Sequence, residues 1–370
     1  MTEAPERHRA WHQARRVLLV RLDNLGDVLM TTPAFAAVRE SLPQAHLTML
    51  AAPGNAGLLP HLTMLDDAIA FHAPWVKAGA AALQGEALGA AERDLVDRLR
   101  HAAFDAAIVF TVCTQSALPA ALLCRLAGIP LVLAHTRERA YGLLSDEVRD
   151  PDVVADGMRH EVRRQLDLVA HAGLRTADER LRFTLRDADH QAARELLQAA
   201  GIAPHRPYVL VHPGATAASR RYPPEALGVA VDLMQRDGAL VVFCAGPGER
   251  ELLAQARAAM RGPSIVLAPP QDVGALAALI AGAEVLVANN SAPVHLAAAT
   301  GTPVVDLYAL TNPQHTPWQV PARVLSHGVP CRNCLQSVCS EGHHACLRGV
   351  QPHEVAAAAR SLQGTEARAA

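Results

Sequence analysis

Lysine is almost missing from this chain of 370 residues: of 34 basic side chains, all but Lys77 are arginine. So deep a bias belongs to the composition as a whole, and an arginine at any one site carries little functional news. Charge of one sign is missing too, because 36 acidic residues leave a formal net charge of −2. Nucleic-acid and anionic-membrane partners normally show as a basic excess or a basic stripe, so neither is expected. Long apolar runs are also lacking. The first sixteen residues are charged and lead into only four apolar ones, Val17 to Val20, too few for a signal-peptide core. Further on, stretches such as LPAALLCRLAGIPLVLA are broken by a charge, here Arg125, short of the ~20 apolar residues a spanning helix needs. The expected location is therefore cytoplasmic, where seven cysteines do not form a disulfide framework. No solenoid-length repeat occurs, and neither a GxGxxG fingerprint nor a Walker A loop is found.

What is there is half hydrophobic and 19% charged, the balance of an ordinary folded protein with chain enough for two domains. Short β-branched or Leu-rich runs alternate with Ala/Leu/Arg segments, which predicts strands followed by helices on a parallel sheet. In the first half the strands are expected at 17–22, 46–51, 105–110 and 130–134, with helices at 32–41, 91–101 and 117–127. The pattern restarts with strands at 208–214, 239–249, 264–268, 284–290 and 302–308. A helix at 188–200, closed by Gly201 and the turn APHRP, suits an interdomain connection. The expected division is residues 1–204, residues 205–350, and a last helix with a frayed tail over 351–370.

Open parallel sheets bind ligands beyond the carboxyl ends of their strands, so chemistry is sought in those loops. The first loop, in RLDNLGDVLMTTPAF, carries Asp23, Asn24 and Gly26, with Asp27 where a helix begins. Asp27 is either a helix cap or a functional carboxylate. In HPGATAASRRYPPEAL, His212, Gly214, Thr216, Ser219 and Arg220 bring backbone N–H groups, hydroxyls and a guanidinium together as an anion site would. CAGPGERE places Glu249 at a strand end where it could accept from a sugar diol. In ANNSAPVHLAAATGTPVV, Asn290, Ser291, Ala292 and His295 open a helix whose N-terminus suits phosphate. Three anion-friendly strand ends in one half and a carboxylate loop in the other are the layout of a nucleotide-sugar transferase.

Taken in order, GD...TTP, HPGA...RYPPE, G..GE and NNSAPVHLAAATGTPVV resemble the motifs of glycosyltransferase family 9, the ADP-heptose:lipopolysaccharide heptosyltransferases, over about residues 17–350. The resemblance implies a GT-B fold: two Rossmann-like doubly wound domains facing across a cleft, acceptor on the N-terminal side and nucleotide-diphosphate sugar on the C-terminal side. It implies an inverting transfer of heptose from ADP-heptose to a lipopolysaccharide core acceptor, with no cofactor required for catalysis. Carried over residue by residue, Asp27 matches the proposed general base, and Arg220 falls where a Lys usually holds the departing phosphate. Glu249 lies near the ribose position, and Asn290, Ser291, Ala292 and His295 fall on the diphosphate segment D-S/T-G-x-x-H. Arg21, Asn24 and Gly26 are expected on the acceptor side. The chain departs from the pattern at Asn290, in place of Asp, and at Ala292, in place of Gly. A lipid acceptor is compatible with peripheral contact at the inner membrane.

Cys331, Cys334, Cys339 and Cys346 are four soft ligands within CRNCLQSVCSEGHHACL, suited either to a closed structural zinc or iron site or to a reduced, packed loop. A similar segment occurs in part of the family, which leaves two alternatives: an autotransporter (protein) heptosyltransferase, or a metal-binding, non-catalytic relative. Cys113, Cys124 and Cys244 lie in apolar segments and are expected in the core. Asp150-Pro-Asp152 spells DxD but lies outside the matched motifs.

Overall fold

The computed structural model describes residues 4–76 and 88–364. Lys77 and the tail expected to fray lie outside them. Contacts divide the chain into two compact units, Met1–Val153 with Glu161–Arg182, and Val154–His160 with Phe183–Ala370.

The first unit holds six parallel strands, β1 (Arg16–Arg21), β2 (His46–Ala51), β3 (Asp67–Ala70), β4 (Ala106–Val109), β5 (Leu131–Thr136) and β6 (Asp146–Arg149). They lie in the order β3-β2-β1-β4-β5-β6. Its helices are α1 (Ala4–Gln13), α2 (Leu25–Ser41), α3 (Ala90–Ala102), α4 (Leu118–Leu126) and α5 (Glu161–His171). The second unit opens with α6 (Asp187–Ala199), followed by β7 (Val209–His212), α7 (Pro224–Arg236), β8 (Val241–Phe243), α8 (Arg250–Ala258) and β9 (Ile265–Val266). Then come α9 (Val273–Ala281), β10 (Val285–Asn289), α10 (Ala292–Thr300), β11 (Val304–Leu307), β12 (Ala322–Leu325), α11 (Ala345–Arg348) and α12 (Pro352–Leu362). Its sheet order, β12-β11-β10-β7-β8-β9, is that of the first read from the other edge. Every pairing within both sheets is parallel. This is the doubly wound order whose reversal point lies between the two central strands, β1 and β4 here and β7 and β10 there.

Central strands form because their residues are apolar on both faces, as a sheet covered by helices on both sides requires. Val17, Leu18, Leu19 and Val20 are buried, as are Val285, Leu286, Val287 and Ala288. The strands missed by sequence reading, β3, β6 and β12, are edge strands with half-exposed patterns that give no apolar run.

Helix α2 begins seven residues before the expected Thr32 and passes through Pro33. Pro33 has no N–H to donate to the carbonyl of Leu29, which would normally end or kink a helix. The Thr32 hydroxyl donates to that carbonyl instead, at 2.6 Å. The domain boundary differs from the expected 204/205 as well. Helix α6 packs on α9 and so belongs to the second unit, moving the division to residues 182 and 183. Residues 154–160 join that unit too: His160 pairs with the Thr316 carbonyl at 2.8 Å and stacks on Trp318, and Arg332 pairs with Asp156 at 2.9 Å. Helix α12 is no loose appendage, since Val355, Ala359 and Leu362 complete the second core against α7. Among the described residues no helix is long and apolar enough to cross a membrane.

Candidate functional site

In the first unit, β1 delivers Arg21 wholly buried to the start of α2. Asn24 is the N-cap of α2, and Asp27 is its third residue. One Asp27 carboxylate oxygen accepts the Asn24 N–H at 3.1 Å, so the capping role is real. The other faces the Arg21 guanidinium at 3.5 Å. Arg21 also holds Asp23 at 3.2 Å and Glu161, the first residue of α5, at 3.0 Å. Gln165 donates to Glu161 at 2.7 Å. Burial works against the Arg21 charge, but Asp23, Glu161 and Asp27 together outweigh it and keep the guanidinium protonated. Three carboxylates around one cation leave surplus negative charge in the interior. It falls on Asp23, whose carboxyl is pushed up to about 6 by burial and by Asp27 and Glu161, against the pull of Arg21. Gly26, between Asn24 and Asp27, is buried.

In the second unit the strand-end loops of β7, β8 and β10 converge. His212 ends β7, with Nε2 3.4 Å from a Glu249 carboxylate oxygen. Burial holds this imidazole below its ordinary value, against the pull of Glu249. The same Glu249 oxygen accepts the Gly246 N–H at 2.7 Å, so the carboxylate expected on a ribose is turned inward onto its own loop. A Cβ at Gly214 would stand 1.5 Å from Glu249 Oε1, so a side chain there would displace that carboxylate. Asn289 stitches two loops together: its amide donates to the Pro213 carbonyl at 2.7 Å, and its oxygen accepts the Tyr222 N–H at 2.8 Å. Ser291 stands at the N-cap position of α10 without a side-chain capping bond, Ala292 is the first helical residue, and the Ser291 hydroxyl donates to the Asn289 carbonyl at 3.1 Å. Arg220 is close enough that its charge acts on His295, Asp306 and Tyr308. His295 is buried, and burial together with His315, His160 and Arg220 holds its imidazole well below the usual value.

Arg220, His212, Gly214, Glu249, Asn290, Ser291, Ala292 and His295 are thus brought to one end of one sheet. One expected donor residue, Ser219, plays another part. Ser219 is buried, and its hydroxyl and N–H donate to the carbonyls of Gln336 at 2.6 Å and Ser337 at 3.0 Å, so it anchors the cysteine-rich segment instead of facing a ligand. Thr216 stays at the surface. Sequence reading placed Asp23 in the loop without giving it a role, and missed Glu161 and Asp306. Asp306 could have been noticed as a lone acid inside the apolar strand TPVVDLY.

All seven cysteines are free thiols. Cys113, Cys124 and Cys244 are buried as expected. Cys331, Cys334, Cys339 and Cys346 are half-buried, and the charges of the other three bear on Cys346. As placed, however, no three His, Cys, Asp or Glu side chains among the described residues are arranged to hold a metal ion. Cys331 Sγ lies 3.9 Å from His343 Nε2. In the DxD sequence, Asp150 pairs with the buried Arg164 at 2.8 Å, a structural contact.

Residues 93–345 match the family described as glycosyltransferase family 9 (heptosyltransferase). Lipopolysaccharide heptosyltransferase 1 of Pseudomonas aeruginosa is 27% identical over 335 residues, covering 88% of this chain and 87% of its own. A glycosyl transferase of family 9 from Veillonella parvula superimposes with a TM-score of 0.75 at 21% identity, over 94% of this chain and 97% of its own. The E. coli heptosyltransferase WaaC with ADP-2-deoxy-2-fluoro heptose does so with a TM-score of 0.60 at 18% identity, over 92% of this chain and 97% of its own. These likenesses bear out the GT-B fold expected from the motifs.

Proposed function

This chain belongs to glycosyltransferase family 9 and is a glycosyltransferase, and from that premise we propose that it moves heptose from ADP-heptose to a lipopolysaccharide core acceptor with inversion at the anomeric carbon. The observation that carries the donor half is the convergence of Arg220, the His212–Gly214 loop and the N-terminus of α10 at the carboxyl ends of β7 and β10. Support for the sugar comes from the lipopolysaccharide heptosyltransferase of P. aeruginosa and from the ADP-heptose analogue on WaaC.

In this reading Asp27 takes the proton of the acceptor hydroxyl as it attacks the anomeric carbon, a role that contributes about 10² to 10⁴ in rate. Asp27 suits it because one oxygen is fixed by the Asn24 N–H while the other faces Arg21 at 3.5 Å. Arg21 orients that free oxygen, and Glu161 holds Arg21 in place. The bond to the diphosphate breaks as the new glycosidic bond forms, and the charge that grows on the leaving ADP falls to Arg220 and to the N–H groups opening α10. A lipid-borne acceptor would bring the enzyme to the cytoplasmic face of the inner membrane as a peripheral visitor. The cysteine-rich segment enters no step. It would hold a structural zinc or iron if its four sulfurs drew together.

The test is ADP release by the purified chain from ADP-heptose, with heptose-deficient core lipopolysaccharide, an autotransporter passenger protein, or no acceptor. GDP- and UDP-sugars serve as donor controls. Release that needs both ADP-heptose and the lipid acceptor is expected. Transfer to the passenger protein alone would move the acceptor to the alternative, and ADP-heptose neither bound nor consumed refutes the reading.

A further inference from the structure

Adjacent asparagines at the end of β10 face opposite ways: Asn289 is tied to the loop after β7, whereas Asn290 is tied to β11 and the loop beyond it. One Asn290 amide hydrogen goes to Asp306 at 3.0 Å and the other to the His315 carbonyl at 2.8 Å, while its backbone N–H donates to Leu307 at 3.3 Å. Every donor that Asn290 has is thereby anchored inward. The next two residues are the cap and first residue of α10, whose free N–H groups make the proposed phosphate cradle. Asp306 stands behind that turn, wholly buried, on a strand and not in a loop. Nothing in the loop sequences marks it.

We propose that Asp306 is a positioning residue of the donor-phosphate site, acting through Asn290 to hold the turn that opens α10 and through its own charge state to leave Arg220 free for phosphate. The inference rests on the donor reading above.

Its charge state is set by its surroundings. Burial pushes the carboxyl up to about 8, against the hydrogen bond from Asn290 and the positive charge of Arg220. Its second oxygen, Oδ1, has no hydrogen-bond partner. A buried carboxylate with one donor and one unmet oxygen is costly, whereas a neutral acid tolerates the same place. The groups that bear on it are Asn290, Arg220 from the loop after β7 and Tyr308 from its own strand end, and Arg220 with His315 and His160 bears in turn on His295 of α10. Neutral Asp306 does not compete for Arg220. Ionised, it would, and a bound diphosphate would in turn favour its proton. Donor affinity and the Asp306 proton are therefore linked.

The experiment is calorimetric binding of ADP between pH 6.5 and 9 by wild type, Asp306→Asn and Asp306→Ala. Asn keeps an oxygen for the Asn290 amide and has no proton to lose. If only the neutral acid supports tight binding, wild-type affinity falls about tenfold between pH 7 and pH 9, and Asp306→Asn stays near the wild-type pH 7 value throughout. Asp306→Ala, which strands the Asn290 amide, binds at least several-fold more weakly at every pH. An Asp306→Asn protein whose affinity falls in parallel with wild type overturns the proposal, and so does an Asp306→Ala protein that binds normally. If the Ala variant does not fold, the Asn comparison still decides. Failure of the wild type to bind ADP at any pH removes the donor reading itself, whereas wild-type binding with parallel pH curves removes only the role of Asp306.

Discussion

Asp23→Asn is the perturbation with the clearest consequence in the first unit. Asp23 is buried beside Arg21, Asp27 and Glu161, and its carboxyl rises from 3.8 to about 6, chiefly through burial. The folded state therefore holds this proton more tightly than the unfolded chain does. Stability from Asp23 is complete below about pH 4 and is lost as pH rises through about 6. At 1.36 kcal/mol for each tenfold change in proton affinity, the loss is about 3 kcal/mol. An asparagine of the same shape is neutral at every pH and escapes it. The stability of Asp23→Asn minus that of wild type should thus grow by about 3 kcal/mol between pH 3 and pH 7.5. Near neutrality that is a rise of roughly 6 to 12 °C in melting temperature for a domain of this size. The assay is urea unfolding followed by tryptophan fluorescence in a Trp318→Phe background, so that Trp11 and Trp75 of the first unit report. Difference curves that stay flat from pH 3 to pH 7.5 would refute the reasoning, as would a variant less stable than wild type at pH 7.5. A variant that gains stability while losing turnover would show a charge kept for function against the interest of the fold.

Asp27→Asn should lower turnover at least ~10²-fold and leave the melting temperature within a few degrees, since an amide oxygen still caps the helix but takes no proton; near-normal turnover would reduce Asp27 to a cap. Arg220→Ala is expected to cost about 3 kcal/mol of transition-state stabilisation, and Arg220→Lys much less, because a point charge suffices for phosphate; steady-state kinetics with equally harmless substitutions would move the phosphates elsewhere. Zinc or ferrous iron offered to the reduced protein is expected to bind at about one equivalent and to raise thermal stability more than it changes activity. Loss of uptake in Cys334→Ser with Cys339→Ser would assign it to the cysteine-rich segment, and no uptake by wild type would leave a reduced, packed loop.

Reading the residues in order was enough for the two doubly wound halves, because strands buried on both faces must be continuous apolar runs and the helices between them must not be. VLLVRL and EVLVANN are legible for that reason. The same physics hid β3, β6 and β12, whose exposed edges place no demand on their composition. Helix α2 runs through Pro33, seven residues longer at its start than expected, because a hydroxyl one residue earlier does the work of the missing N–H. Loop chemistry at the strand ends was legible in part: Asp27 was recognised as a capping carboxylate, whereas Glu249, expected to face a sugar, instead closes its own loop on Gly246. Charge states were not. Arg21 meets Glu161 across 140 positions of chain because α5 packs on α2, and Asp306 meets Asn290 because β11 lies beside β10. Burial and the count of charges around a group decide whether a carboxyl keeps its proton, and both are properties of the packed interior. Local sequence names the groups that can titrate, and only the folded chain decides which of them do.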